Sequence, residues 1–514
     1  MKKTFTSIAS FLLLFTLSVS QLCGETNITI LHTNDTHSHL MPFDSKEYGP
    51  DSGGIVRRSG LIKSIRNQFG NVLLLDAGDI LQGTPFYIIF KGEACYKTAA
   101  ECGYDATTLG NHELDNSLEN LKTQLTNSGM RLLCCNVFYR DTGRHVFQPY
   151  MVFVRNGVKI GVIGSIGNAA WDEIDCKIRA PMINVDQTTS VREVARRIRP
   201  YVDLVVVLSH AGIEFDEQMA ARVAEIDLLI GGHTHVELAA PRLVKNLPEA
   251  GKANNGLDGT LVVQAGEHGQ FLGRVNLTLD DSGKIATWSG CLEQVSAAHE
   301  SMAPAGIRET VESFNRRLED MMNEVVGYTE KALDYPRDLR KTAMLPMGTF
   351  TAKSMLEAAK SDMCVINSGV IRNDIKAGNI TCGGVFEALP YDNTVVSFKM
   401  SGEKIQKMLD HICSHLGDPD GYQFAGVEAT FNTSTGKAEN VKIAAAPIDL
   451  RKEYRVSTSS FMANGNVAGD ILFAGAGEIE DSNIIMRDAA INLARELKTL
   501  PDMSVAPISI KGSK

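Results

Sequence analysis

From Asn27 to about Val295 the chain alternates short, continuous apolar runs with amphipathic stretches. The runs cover residues 28–31, 72–75, 132–136, 158–163, 204–208 and 228–230. Continuous apolar runs of that length suit strands buried on both faces. Between them lie helical patterns, such as Val191, Val194, Ala195 and Ile198 after Asp186 and before Pro200. The alternation predicts an α/β layered domain over residues 25–300. Each run ends in polar residues, and α/β sheets bind ligands in the crevice beyond the carboxyl ends of their strands.

After Pro304 the period changes. Val311, Phe314, Leu318, Met321 and Met322 fall at helical spacing within residues 307–326, which predicts a connecting helix across 301–334 rather than a flexible linker. From Tyr335 to Lys514, short strand patterns at 395–399 and 454–458 mix with helical patterns at 350–359 and 403–413. This second domain reads as α+β. It carries no G-x-x-x-x-G-K-[ST] loop.

The 514 residues are 44% hydrophobic and 22% charged, enough for two or three full cores and too apolar for extended disorder. The net charge of -10 disfavours a broad phosphate-neutralising face, so a nucleic-acid polymer is not an expected partner. Residues 1–24 read as a secretory signal: Lys2 and Lys3, an apolar run at 11–17, then small residues at Ser18 and Ser20. Export to a periplasm or medium is therefore expected. A lipid anchor on Cys23 is the lesser alternative, since Leu22 stands where a small residue normally precedes a lipidated cysteine. No later stretch is long and apolar enough to span a bilayer. The ten cysteines include no C-x-x-C pair, so most are expected to be buried small hydrophobes. Oligomeric state is not legible.

The polar strand ends hold the chemistry. Asp35-Thr36-His37 follows the first run, so two side chains at i and i+2 can reach one ion. The second run ends Gly78-Asp79, and the two oxygens of Asp79 could bridge two cations. After residues 106–109 come Asn111, His112 and, three positions beyond His112, Asp115, which can orient that ring for acid-base work. His210 ends the fourth strand pattern, and His233 and His235 follow the fifth. Taken singly, each of these residues is commonly a cap, a turn former or a satisfied histidine; their recurrence at strand ends makes that reading improbable for the set. His32, His39 and His268 are read as ordinary structural histidines. Mixed oxygen and nitrogen donors suit Zn, Mn, Fe or Co better than Ca, and seven donors are too many for one ion. Two divalent ions sharing Asp79 would lower the pKa of a bridging water, giving a hydroxide nucleophile and a clamp for phosphate oxygens.

The motifs D-x-H, G-D, G-N-H-E, strand-ending H and G-H-x-H, in this order, resemble those of the calcineurin-like metallophosphoesterases. Residues 31–37 and 110–116, with the chain length and second domain, resemble the 5'-nucleotidase family in particular. The resemblance implies an αββα metallophosphoesterase sandwich followed by a nucleotide-binding domain. It implies one ion on Asp35, His37, Asp79 and His235, and another on Asp79, Asn111, His210 and His233. His112, supported by Asp115, would stabilise the phosphoryl transition state or protonate the leaving oxygen. The position of His235 is glutamine in some members. In the second domain, residues 367–372 are similar to the family's N-G-G-G-I-R, implying that Asn367 contacts the nucleoside and Arg372 the phosphate. Residues 389–393 resemble L-P-F-G-N, bringing in Tyr391 and Asn393, and Phe461 would complete a pair of rings around a base. Without the resemblance both rings read as core. The family's N-G-G-D-G is two residues longer here, which weakens Asp470 as a ribose or base contact, and Arg340 is only a candidate for a second phosphate arginine.

The expected activity is hydrolysis of nucleoside 5'-monophosphates to nucleoside and phosphate. Alternatives are a 2',3'-cyclic nucleotide 2'-phosphodiesterase with 3'-nucleotidase activity, a nucleotide-sugar hydrolase or a thiosulfohydrolase. From another class, a non-catalytic nucleotide-binding or surface protein would keep the scaffold without turnover.

Overall fold

The computed structural model describes residues 25–45, 47–251, 256–417 and 420–512; the expected signal segment, with Cys23, lies outside them. The chain divides into two compact units, Met1–Asn315 and Arg316–Lys514. The division falls inside the Ala305–Asn323 helix rather than at either end of the expected 301–334 connection. Ile307, Val311 and Phe314 are buried, and the Phe314 ring lies 4.9 Å from that of Phe90. The helix stops at Asn323, short of the expected Val326. The β-branched pair Val325 and Val326 belongs instead to the Val325–Thr329 strand, antiparallel to Gly378–Thr381.

Two sheets make up the first unit. The six-stranded sheet runs in the order Arg242–Lys245, Gly259–Val263, Leu228–Gly231, Leu204–His210, Val158–Ile166, Tyr150–Arg155, and its four central strands are mutually parallel. The four-stranded sheet has the order Ile285–Gln294, Phe271–Leu279, Thr26–Thr33, Val72–Asp76, the last two parallel. Successive side chains on a strand face opposite ways, and the core divides accordingly. Val206 and Leu208 join Ile28, Ile30, Leu73 and Leu75 in one apolar cluster. Val205 and Val207 join Val191, Val194 and Ile198 of the Gln187–Ile198 helix, with Met219 and Ala220, in another. The guanidinium of Arg274, on the smaller sheet, lies 5.0 Å from the ring centre of Phe69, the last residue of the Ile55–Phe69 helix. The layers are those of the expected α/β sandwich. Asp186 caps the Gln187–Ile198 helix by accepting from the backbone of Thr189.

Two departures from the sequence pattern have local causes. The run at 132–136 yields only the Leu132–Leu133 strand, because the next amides leave the ladder: Cys134 N donates to Gln148 O and Cys135 N to Gly164 O. The hairpin of Phe271–Leu279 and Ile285–Gln294 was not legible as a continuous run, since Arg274, Asn276 and Thr278 alternate with buried residues.

The second unit has a five-stranded sheet in the order Tyr422–Ala425, Met363–Asn367, Glu453–Ser459, Thr394–Ser401, Glu480–Ile485. Cys364 and Ile366 pack in one cluster with residues of the Pro346–Ala359 and Met486–Leu497 helices. Met363 and Val365 pack in another with the Gly402–Ser414 helix. The described cysteines are thiols, and all but Cys176 and Cys291 are buried. No described helix is long and apolar enough to cross a membrane.

A paired substitution tests the sheet packing. A Cβ on Gly164 would sit 2.0 Å from Leu133 O, whereas one on Gly306 meets nothing within 4 Å. In urea unfolding, Gly164→Ala should lose about 1–3 kcal/mol from overpacking, while Gly306→Ala, in the first turn of a helix, should gain about 0.5–1 kcal/mol.

Candidate metal centre

The loops that follow the parallel strands are stitched to one another through the backbone. Ala77 N donates to Thr33 O, Asp35 N to Gly78 O, His37 N to Asp79 O and Ser38 N to Ile80 O. Asp35, His37, Asp79, His233 and His235 all have φ between 44° and 76°. Left-handed backbone at non-glycine residues costs of order 1–3 kcal/mol each and persists only where the surroundings enforce it. Here it marks the tight turns that carry the donors. Gly110 makes the closest approach: a Cβ there would lie 2.1 Å from Asp79 Oδ1.

Among the described residues, three groups bring donor atoms within 4.8 Å of one another: Asp35, His37 and His235; His37, Asp79 and His112; Asp35, Asp79 and His210. In the first, His37 Nε2 lies 3.3 Å from His235 Nε2. Asp35 Oδ1 is 3.4 Å from His235 Nε2 and 4.0 Å from His37 Nε2. Ligands about 2.0–2.1 Å from a tetrahedral ion stand about 3.3–3.4 Å apart, so the spacing fits a divalent cation. In the third group, His210 Nε2 is 3.2 Å from Asp79 Oδ2 and 3.9 Å from Asp35 Oδ1, and Asn111 Oδ1 adds an oxygen 3.2 Å from the same nitrogen. Asp35 and Asp79 each enter two groups. His233 contributes differently: its backbone N–H donates to Asp35 at 2.9 Å, and its ring lies 5.3 Å from that of His210, outside all three groups.

Each ring that points Nε2 into the cluster is held by its other nitrogen. His37 Nδ1 lies 3.1 Å from Leu81 O, His210 Nδ1 2.8 Å from Ala77 O, and His235 Nδ1 2.6 Å from Glu267 Oε2. Glu113, fully buried, accepts from the amides of Asp79, Ile80 and Gly110, tying the Asp79 turn to the Asn111 turn. Glu113 stood in the G-N-H-E motif without a role assigned to it. Glu267 was missed because the Gly259–Val263 strand that precedes it was not recognised as a run; its polar end, Gln264 to His268, is the signal that could have found it.

The electrostatics follow from two buried carboxylates. Burial alone would raise Asp79, but His210, with His112 and His37, outweighs it and holds the carboxyl below its usual range. Burial likewise opposes charge on His210, yet Asp79 and Asp35 drive that ring upward. Burial also works against the charged form of His112, and the 2.8 Å contact with Asp115 Oδ2, aided by Asp79 and Glu113, overcomes it and lifts the ring to about 9. The cluster therefore favours positive charge. His32 is buried inside its strand and driven down to about 3 by burial. The rings of His39 and His268 lie 3.9 Å apart, outside the three groups.

In the second unit, a cavity of about 370 Å³ is lined by Asn367, Gly369, Val370, Arg372, Tyr391, Asn393, Asp420, Phe461 and Val467. Tyr391 and Phe461 are 42% and 39% exposed, so neither ring belongs to the core, contrary to the reading made without the resemblance. Arg372 Nε donates to Tyr391 Oη at 2.9 Å. The Tyr391 segment is anchored by the fully buried Arg487, whose guanidinium donates to Asp392 Oδ1 and Leu389 O and lies 4.2 Å from the Phe386 ring centre. Asp470 is exposed on the short Gly469–Leu472 helix and does not line the cavity. Val467 and Ala468, in the lengthened loop, take φ of 51° and 57°, and Val467 occupies the wall. Asp420, which no motif marked, accepts from Gly369 N at 2.9 Å and Asn367 Nδ2 at 3.3 Å.

Because a methyl at position 110 collides with Asp79, Gly110→Ala should weaken divalent-cation binding about 10–100-fold, the range seen when the support of a ligand is lost. Calorimetric titration, with unchanged far-ultraviolet circular dichroism, reads this.

Comparison with known proteins places these units. The calcineurin-like phosphoesterase profile matches residues 28–237 and the 5'-nucleotidase C-terminal domain profile residues 325–472. The chain is 30% identical over 484 residues to a 5'-nucleotidase of Vibrio cholerae, covering 85% of each. It is 29% identical over 513 residues to the trifunctional nucleotide phosphoesterase protein YfkN of Bacillus subtilis, covering 89% of this chain and 33% of that one. The crystal structure of a 5'-nucleotidase precursor from Thermus thermophilus superposes with a TM-score of 0.60 at 27% identity, over 95% of this chain and 100% of that one. The calcineurin-like fold implies divalent metal ions, and the donor groups above fit them in kind and spacing. With such identity over most of both chains, and one profile in each compact unit, the chain belongs to the 5'-nucleotidase family of metal-dependent phosphoester hydrolases.

Proposed function

We propose that the protein is exported and hydrolyses nucleoside 5'-monophosphates to nucleoside and phosphate at a pair of divalent ions. The observation that carries this is the double membership of Asp79, which lies in one donor group with His37 and His112 and in another with Asp35 and His210. One ion would rest on Asp35, His37, Asp79 and His235, the other on Asp79, Asn111, His210 and His233. When bound, a pair of ions activates water and clamps phosphate oxygens.

The protein's own groups do the rest. His112 is oriented by Asp115, whose contact favours the protonated ring, and would donate a proton to the departing ester oxygen or balance charge on the phosphoryl group. Arg372 offers a planar fork to an anionic oxygen group. Tyr391 and Phe461 offer exposed rings to a base, and stacking contributes about 1–3 kcal/mol per base. Asn367 and Asn393 supply polar contacts in the same cavity. We do not assign Asp470 a direct contact. The signal reading of residues 1–24 supports export.

A second reading is hydrolysis of 2',3'-cyclic or 3'-nucleotides; similarity over 89% of this chain to a protein named a trifunctional nucleotide phosphoesterase supports action on more than one kind of nucleotide ester. Phosphate release from AMP, 3'-AMP and 2',3'-cyclic AMP in the presence of Zn, Mn, Co or Mg separates the two. The first reading requires AMP to be the fastest; preference for either of the others would replace it. His112→Ala should lower kcat on AMP by about 10²–10⁴, and Asp115→Asn should lower kcat more than it alters KM. Wild-type turnover in His112→Ala would remove that ring from the chemistry.

A further inference from the structure

We infer that Glu267 is the residue that positions His235 for metal binding, so that the strength of one cation site is set from outside the ligand set. The inference rests on the reading of His235 as a ligand. Apart from His112, which Asp115 holds and which is read as the proton donor rather than a ligand, three rings present Nε2 to the cluster, and two of them, His37 and His210, are held from behind by backbone carbonyls of Leu81 and Ala77. His235 differs: its Nδ1 meets a carboxylate, Glu267 Oε2, at 2.6 Å. A carbonyl partner comes with the fold, whereas a carboxylate is a side chain that substitution can remove.

The contact has a defined electronic consequence. An acceptor on Nδ1 selects the tautomer in which Nδ1 carries the hydrogen and Nε2 keeps its lone pair, and a charged acceptor makes that lone pair a stronger donor. Nε2 of His235 then faces His37 Nε2 at 3.3 Å and Asp35 Oδ1 at 3.4 Å, the corner of the donor group it completes.

His235 also needs this help more than its neighbours do. Its side chain is 36% exposed, against 7% for His37 and 0% for His210, so packing leaves the ring freer to rotate. Glu267 is in turn fixed by its loop. Asn34 Nδ2 donates to Gly266 O, Gly266 N to Val236 O, and His268 N to Asp35 O. The segment bearing Glu267 is thereby pinned to the two loops that carry Asp35 and His235. His268 Nε2 lies 3.5 Å from the same Glu267 oxygen.

The test is a set of variants of the full chain, titrated with Zn²⁺ or Mn²⁺ by calorimetry, together with nitrogen NMR of the histidine rings before metal is added. Glu267→Ala should weaken one of the two ions about 10–100-fold and leave the other within about threefold. Glu267→Gln, which keeps an acceptor but not the charge, should recover part of the loss. In the metal-free protein, at a pH high enough to deprotonate the rings, His235 should be the Nδ1–H tautomer in the wild type and a mixture in Glu267→Ala. His235→Ala is the reference. If it loses an ion while Glu267→Ala binds both as the wild type does, with an unchanged tautomer, Glu267 has no positioning role. If His235→Ala itself binds both ions normally, the ligand reading of His235 fails first and takes this inference with it.

Discussion

Two carboxylates that cannot be hydrated organise the N-terminal unit. Asp35 and Asp79 are 0% and 2% exposed, and an ion buried without compensation costs several kcal/mol. Each is compensated by the groups that define the site. Asp35 accepts from the backbone of His233 and from Asn34 Nδ2, Asp79 accepts from the backbone of His112, and both face His210. The local geometry that meets this demand is strained. Left-handed backbone at the donors is tolerated because the loops are cross-linked by the backbone hydrogen bonds between residues 33–38 and 77–80 and by the Glu113 clamp. A divalent cation placed among these donors would satisfy the same demand more fully than the surrounding dipoles do.

The parallel topology explains why donors so distant in sequence meet. Asp35 follows Thr26–Thr33, Asp79 follows Val72–Asp76, His210 ends Leu204–His210, and His233 and His235 follow Leu228–Gly231. Within each sheet the parallel strands put their carboxyl ends on one side, and the donor groups show that the ends from the two sheets meet in one crevice. The sandwich core of Ile28, Leu73, Val206 and Ile230 fixes the sheets, and the chemistry occupies turns the core leaves free.

Much of this was legible because periodicity and polarity agree at those strand ends. A run such as 204–208, buried on both faces, can only be a central strand, and a histidine directly after it can only sit at the sheet's lip. What escaped had weaker local signals. The hairpin beginning at Phe271 alternates polar and apolar residues, so no continuous run announced it. Glu267 lies in a loop whose preceding strand went unnoticed, and its partner His235 is 32 positions earlier in the numbering; only tertiary structure pairs them. In the second unit, Tyr391 and Phe461 carry no local mark of exposure, since an aromatic next to a strand is core by default. Asp420 is likewise defined by its contacts with Gly369 and Asn367, not by its neighbours in sequence. The lengthened loop at Asn464–Asp470 is visible in sequence, but that Val467 rather than Asp470 lines the cavity is set by its path in three dimensions, where Val467 and Ala468 take positive φ.

The proposed chemistry needs two ions sharing one carboxylate. A crystal structure of the protein grown with Mn²⁺ or Zn²⁺, with anomalous scattering recorded at the metal edge, measures that directly. Two peaks about 3.5–4 Å apart on either side of the Asp79 carboxylate, one beside Nε2 of His37 and His235 and the other beside Nε2 of His210, are expected. A single peak, or two peaks with Asp79 bound to neither or to only one, would contradict it.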